Sequence, residues 1–255
     1  MTDHTNKNRV QSVDRTFEIL ETIRDHEKVG VTEIAEQLDV SKSTVHNHLN
    51  TMDARGYVVN EDGTYRLGLR LLSFPNTLQK SHRVYQTAKD EIDELVEQTG
   101  ERSQVLVEED GYGVYIYQQT DDRAITTNSK VGTRVTLHSS AIGKAMLAFQ
   151  PKEKVRRILS RDGMPARTEN TITSREAFEE ELKSVREEGV AFDDEEGIEG
   201  MRCVAAPIRN EDSVSVGAIS VSGPCTRIMG ERFESTLPRE VERAAQAIEI
   251  KYRYS

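Results

Sequence analysis

Residues 31–67 constrain this chain more than any other stretch, because helix, cap and turn signals fall there in one order. The spacing predicts a short helix over 32–38, a turn at Asp39-Val40, a second helix over 41–55, and two strands around Asp62-Gly63. In the second helix Val45, Leu49 and Met52 recur at spacings of four and three, which aligns one apolar stripe. Ser41 supplies an oxygen where a helix must cap its free N–H groups, and Gly56 stands where it should stop. Asp-Gly between the β-prone runs 57–59 and 64–67 is a strong hairpin signal, because both central turn positions need positive φ. The order is that of a winged helix-turn-helix. The alternative is an ordinary three-helix domain that ends in a hairpin and has a merely solvated polar face.

The side of the second helix away from the apolar stripe carries short or basic groups suited to phosphates and base edges. Lys42, Ser43, Thr44, His46 and Asn47 are the candidate DNA-contacting residues there, with Tyr65 and Arg66 on the wing. Residues 12–26 place Val13, Phe17, Leu20 and Ile23 at spacings of four, three and three, an amphipathic helix expected to pack behind that pair. Residues 1–8 read as a disordered arm.

Charge opposes a nucleic-acid reading at first sight, since the formal net charge is -10. Up to Lys80, however, there are 10 Lys and Arg against 12 Asp and Glu, so most of the acidity lies further along. Between Ser41 and Tyr57, Lys42, Arg55, His46 and His48 face only Asp53. Lysine is scarce, 11 against 23 arginines, and aromatics make up 5%, a composition resembling that of salt-accumulating cytoplasms. No apolar run is long enough for a membrane span and residues 1–9 lack a signal-peptide core, so a soluble, cytoplasmic protein is expected. Cys203 and Cys225 are too few for a disulfide framework and too widely spaced for a zinc knuckle, so neither metal nor cofactor is expected.

Past the wing the pattern is helical but interrupted at Pro75-Asn76, which predicts a jointed linker over 71–100, broken or kinked before the proline. From Arg102 the period falls towards two. Strands are expected at 105–107, 114–117, 124–127 and 131–138, helices at 140–149, 152–159 and 175–188, strands at 190–192, 203–208 and 214–222, and a closing helix over 231–252. This is an α+β domain with one antiparallel sheet. The expected units are 9–70, a linker over 71–100, and 101–255.

Several ordered motifs then carry a family resemblance: His138-Ser139-Ser140-Ala141-Ile142-Gly143-Lys144-Ala145, Phe192-Asp193-Asp194-Glu195-Glu196, Gly200-Met201-Arg202-Cys203-Val204-Ala205-Ala206-Pro207 and Ile219-Ser220-Val221-Ser222-Gly223-Pro224. With the winged helix before them, they closely resemble the IclR-type transcriptional regulators from about Arg9 to the C-terminus. The resemblance implies a non-enzymatic regulator whose winged helix binds a double-stranded DNA operator. It also implies a C-terminal GAF- or profilin-like domain that binds a small organic-acid-like effector, and assembly into a homodimer or dimer of dimers. Its effector residues map to Ala141, Ile142, Asp193, Cys203, Ser220 and Ser222. A helix N-terminus, hydroxyls and a thiol suit a carboxylate, whereas Asp193 must accept a ligand hydroxyl or be protonated. The same resemblance suggests that occupancy alters the spacing of two winged domains through the joint at Pro75.

The chain departs from the family in three places. Asn47 stands where arginine is frequent, His48 where leucine is usual, and Pro75-Asn76 interrupts a helix that is usually unbroken. Gly143-Lys144 is not a phosphate loop, because the opening glycine and the residue after lysine are both wrong. Two alternatives are a small-molecule hydrolase with Cys203 as nucleophile, His138 as base and Asp193 as orienter, and a ligand sensor that does not bind DNA.

Overall fold

Helix α1 (Gln11–His26) opens the structure, a computed structural model that describes residues 9–121 and 129–255. The proposed arm at 1–8 and the strand expected at 124–127 lie outside those residues. The chain divides into two compact units, Met1–Leu78 and Gln79–Ser255.

In the first unit, α1 is followed by β1 (Val29–Gly30), α2 (Val31–Gln37), α3 (Lys42–Ala54), β2 (Val58–Glu61) and β3 (Thr64–Leu67). The Ser41 side chain accepts from Thr44 N at 3.1 Å, so the predicted cap starts α3. Val45, Leu49 and Met52 are buried with Ile34, Val58 and Tyr65 in one apolar cluster. At the wing tip Asp62 and Gly63 take φ of 52° and 90°, and Gly63 N donates to Asn60 Oδ1. One strand was not anticipated: β1 pairs with β3, giving the sheet order β1-β3-β2.

The inward face of α1 needs correction. Val13 and Phe17 are 49% and 60% exposed, while Ile19, Thr22 and Ile23 are buried. A second stripe, set by Ile19 and Ile23, meets the core, and periodicity alone did not choose between the two.

The joint also falls elsewhere than expected. After a 3-10 turn at Leu69–Leu72, α4 (Ser73–Ser81) runs through Pro75, which occupies its first turn. N–H groups there lack an intrahelical acceptor in any case, so a proline removes nothing. The helical path is broken instead at His82, with φ of -91° and ψ of 108°, before α5 (Arg83–Thr99) begins.

In the second unit β4 (Arg102–Glu109), β5 (Tyr112–Gln119), β6 (Arg134–Val135), β7 (Ala191–Asp194), β8 (Met201–Arg209) and β9 (Ser215–Pro224) form an antiparallel sheet in the order β6-β5-β4-β9-β8-β7. The strand expected at 131–138 is reduced to the two residues of β6. Helix α5 and the closing α9 (Leu237–Tyr254), which follows a π-helical turn at Arg232–Thr236, share an apolar cluster with Val105, Val204, Ile219 and Val221. Helices α6 (Ala141–Ala148), α7 (Lys152–Asp162) and α8 (Arg175–Glu188) share another with Leu106, Ala191, Ala205 and Ala218. The two sets of sheet residues alternate along the strands, so helices cover both faces. A Cβ on Gly143 would lie 2.1 Å from Leu137 O, so only glycine lets α6 approach the backbone of the segment before it. Among the described residues no helix is long and apolar enough to cross a membrane.

Candidate DNA face and effector cavity

The face of α3 opposite its buried stripe is open. Lys42, Ser43, His46 and Asn47 are exposed and Thr44 is half-buried. Ser41 Oγ lies 2.8 Å from both Ser43 Oγ and Thr44 Oγ1, which ties those two hydroxyls to the helix cap. His46 Nδ1 is 3.0 Å from Asn50 Nδ2. The wing residues divide. Tyr65 is 3% exposed and packs in the winged-helix core, while its hydroxyl accepts from Nδ2 of the exposed Asn60, so the structure gives it a packing role. Its position in β3 alternates inward, whereas Arg66 turns outward and pairs with Glu61 at 2.6 Å. Glu61 in turn reaches Lys28, 2.5 Å away.

In the second unit a cavity of about 480 Å³ opens beside the ends of β7, β8 and β9. Strand register explains its floor: Asp193 pairs with Cys203 and Cys203 with Ser222, so the three side chains share one face, and all three line the cavity. The register row one step along holds Ala191, Ala205 and Ser220. Ala191 and Ala205 pack in the same cluster as Ala141 and Ile142 of α6, and Ser220 is 2% exposed. Ser220, Ala141 and Ile142 thus lie in or against the buried row beside the cavity. Helix α6 closes over that row and presents Ser139 and Ser140 to the cavity at its start. Ser140 Oγ accepts from Gly143 N and caps the helix.

Asp193 is 4% exposed, and its Oδ1 accepts from Glu196 N at 2.7 Å and Gly197 N at 3.3 Å. Burial raises its carboxyl above the ordinary range, while those amides, the Lys144 charge and the Cys203 thiol act in the opposite direction. Burial first, and then Asp193, push the Cys203 thiol well up. That is the reverse of an activated nucleophile. His138 Nε2 lies 3.0 Å from Pro165 O and lines no part of the cavity, so the Cys203-His138-Asp193 hydrolase arrangement is not assembled.

The sequence reading missed other walls of this cavity, among them Gln104, Tyr115, Arg134 and Arg167. Gln104 stands opposite Ser220 in the sheet register, a signal readable once the strand order is known. Arg167 lies on an irregular segment between α7 and α8 and had no local signal. Outside the cavity, Asp194, Glu195 and Cys225 bring ligand-type atoms within 4.8 Å of one another, but Asp194 already pairs with Arg202 and Glu195 accepts from Gly200 N.

Residues 12–62 match the IclR helix-turn-helix domain, and residues 76–250 match the bacterial transcriptional regulator IclR C-terminal domain. The chain is 34% identical over 247 residues to a probable HTH-type transcriptional regulator, ArcR, of Halobacterium salinarum, covering 95% of this chain and 94% of that protein. It resembles the crystal structure of Thermotoga maritima IclR at a TM-score of 0.83 and 28% identity, covering 96% of this chain and 99% of the other. An IclR homolog from Microbacterium hydrocarbonoxydans, solved with 4-hydroxybenzoate, shares the fold at a TM-score of 0.81 and 24% identity, over 96% of this chain and 100% of that one. With a DNA-binding helix-turn-helix at one end and an effector-binding domain at the other, the chain belongs to the IclR family of transcriptional regulators.

Proposed function

We propose that α3 reads an operator through Lys42, Ser43, Thr44, His46 and Asn47, with Arg66 on the wing, and that a small organic acid in the 480 Å³ cavity modulates this binding. The observation that carries the reading is the division of α3 into a buried Val45/Leu49/Met52 stripe and an exposed polar face. Lys42 suits a phosphate, and the Asn47 amide suits the N6 and N7 edge of adenine. Where an arginine would favour guanine, this face favours an adenine-containing step.

The cavity fits an acid of modest size, because volumes of a few hundred Å³ are typical of small-molecule sites. Asp193, Cys203 and Ser222 supply its polar floor and Tyr115, Val135 and Ile198 its apolar walls. The protein acts in the cytoplasm as a homodimer or dimer of dimers, with the segment from Leu71 to Gly100 linking the two units. In the unoccupied and occupied states the DNA affinity differs only by the ligand's preference between them, typically about 1–3 kcal/mol.

An electrophoretic shift assay with the DNA upstream of the protein's own gene tests both parts. Wild type shifts it, and a panel of small hydroxy, keto and aromatic acids changes the shift. Ser222→Leu, which fills the cavity, retains DNA binding and loses the acid response. Absence of any shift, with a selected operator as well, overturns the DNA reading in favour of a sensor that acts through protein contacts.

A further inference from the structure

The effector reading leaves the orientation of the ligand open, and the charges on the cavity walls decide it. At the inner end, Asp193 Oδ1 takes two backbone N–H groups, and the Cys203 thiol stands across the register from the same carboxyl. The backbone holds it in place: a Cβ on Gly197 would lie 2.8 Å from Ser139 O and 3.3 Å from Asp193 Oδ2, so the loop is closed down on the carboxyl. Two backbone donors converging on one carboxylate oxygen suit an anion. An anion at the inner end repels a ligand carboxylate and attracts a hydrogen-bond donor.

Among the described residues two arginines line the cavity, and they differ. Arg134 is committed, paired with Glu109 at 3.1 Å and lying over the Tyr112 ring at 5.7 Å. Arg167 is exposed, and among the described residues its guanidinium has no ion pair or hydrogen bond. Its backbone is nevertheless pinned on both sides. His138 Nε2 meets Pro165 O at 3.0 Å, and Arg167 N and Thr168 N each donate to Thr171 Oγ1 at 2.9 Å. Thr168 Oγ1 donates to Glu195 O at 2.6 Å and Thr171 Oγ1 to Glu196 O at 2.7 Å. The strap that carries the open guanidinium is thus fastened to the same loop that supplies the amides on Asp193. A planar fork of N–H donors on a fixed backbone matches a carboxylate in two bonds at once.

We propose that Arg167 holds the acid group of the ligand while Asp193 receives a hydroxyl or ammonium from its other end, so that the cavity selects hydroxy or amino acids over plain carboxylates. This rests on the effector reading above. It reverses the orientation expected from the sequence, in which the carboxylate sat at the start of α6 among Cys203, Ser220 and Ser222. A plain acid satisfies Arg167 alone and leaves the Asp193 carboxyl facing an apolar group. A hydroxy amide satisfies Asp193 alone.

The test uses the full chain, calorimetric titration and thermal-shift fluorimetry, with matched sets: glycolate, acetate and glycolamide; 4-hydroxybenzoate, benzoate and 4-hydroxybenzamide; 4-(aminomethyl)benzoate and 4-methylbenzoate. At least one hydroxy or amino acid should bind about tenfold or more tightly than its plain acid and its amide. Arg167→Met should weaken that ligand about 10–100-fold, the range for losing a charged hydrogen bond, and erase the preference for acid over amide. Arg167→Lys should restore part of it. Asp193→Asn should erase the preference for hydroxy over plain acid, whereas a protonated Asp193 acting as donor would be replaced by the Asn amide with little loss. An acid that binds Arg167→Met as it binds wild type, but no longer binds Ser222→Leu, overturns this proposal and leaves the effector site standing. A panel in which no acid binds wild type overturns both.

Discussion

The Lys144 ammonium lies 2.5 Å from Glu196 Oε1, and Lys144 is 1% exposed. Glu181 Oε1 stands 2.7 Å away on its other side, so one buried cation joins α6, α8 and the loop after β7. That loop also carries the amides that hold Asp193. Burial raises the Glu196 carboxyl above its usual range, and the Lys144 charge opposes this. Lys144→Met strands two carboxylates, one of them deeply buried, and should cost about 3–5 kcal/mol in urea unfolding. Glu196→Gln should cost less, because Lys144 keeps Glu181. Equal losses would contradict this division of roles.

Acid should weaken the fold through His138. Burial holds its imidazole below the ordinary value of 6.5, so the unfolded chain binds the proton more readily than the folded one. The contribution is therefore complete above that ordinary value and is lost as pH falls towards the folded value. Unfolding midpoints should fall as the pH drops through and below that ordinary value. His82 is lowered by burial as well and adds a loss of the same sign. His138→Gln should make the profile flatter without abolishing it; an unaltered slope would exclude His138 as a contributor.

On DNA, Asn47→Ala should relax the base preference at one operator position, at a cost of about 1–3 kcal/mol, while Lys42→Ala should weaken all sequences alike. Binding selections read against each variant separate the two patterns. Tyr65→Phe should leave base preference intact and lower stability, since its hydroxyl accepts from Asn60 rather than facing outward.

Salt dependence is the fourth expectation. The chain carries a net charge of -10, and on the proposed contact face Lys42 is the one lysine, while Arg66 is already shared with Glu61. Few counterions can be released, so anisotropy titrations of operator binding should give a shallow slope of log K against log salt. A slope as steep as that of a protein neutralising about 6–10 phosphates would contradict this. Loss of folding at low salt would fit the lysine-poor, acidic composition.

The winged helix was legible because its signals are local: Ser41 caps α3, Asp62-Gly63 turns the wing, and α3 shows one stripe. Strand β1 was not legible, since two residues beside a helix carry no period and pair only across the sheet. Pro75 misled for a positional reason, as the same residue breaks a helix interior and suits a first turn. In the cavity, Asp193, Cys203 and Ser222 were found through family motifs, and the register that aligns them was not visible. Ser220 lies one register step along, buried under α6. Arg167 belongs to a segment whose position is set by the hydroxyls of Thr168 and Thr171, contacts some 25 residues long that no local pattern announces.

The wing is not a free flap. Its inner strand β3 is gripped from the other edge by Val29 and Gly30, and Gly30 N donates to Glu33 Oε2 in the first turn of α2. A push on Asp62-Gly63 is therefore carried along β3 into the root of α2, the helix that packs behind α3. In the proposed reading, a phosphate contact at the tip is thereby tied through β3 to the helix that stands beside the reading one. Trimming the tip should thus blur sequence discrimination as well as remove a backbone contact.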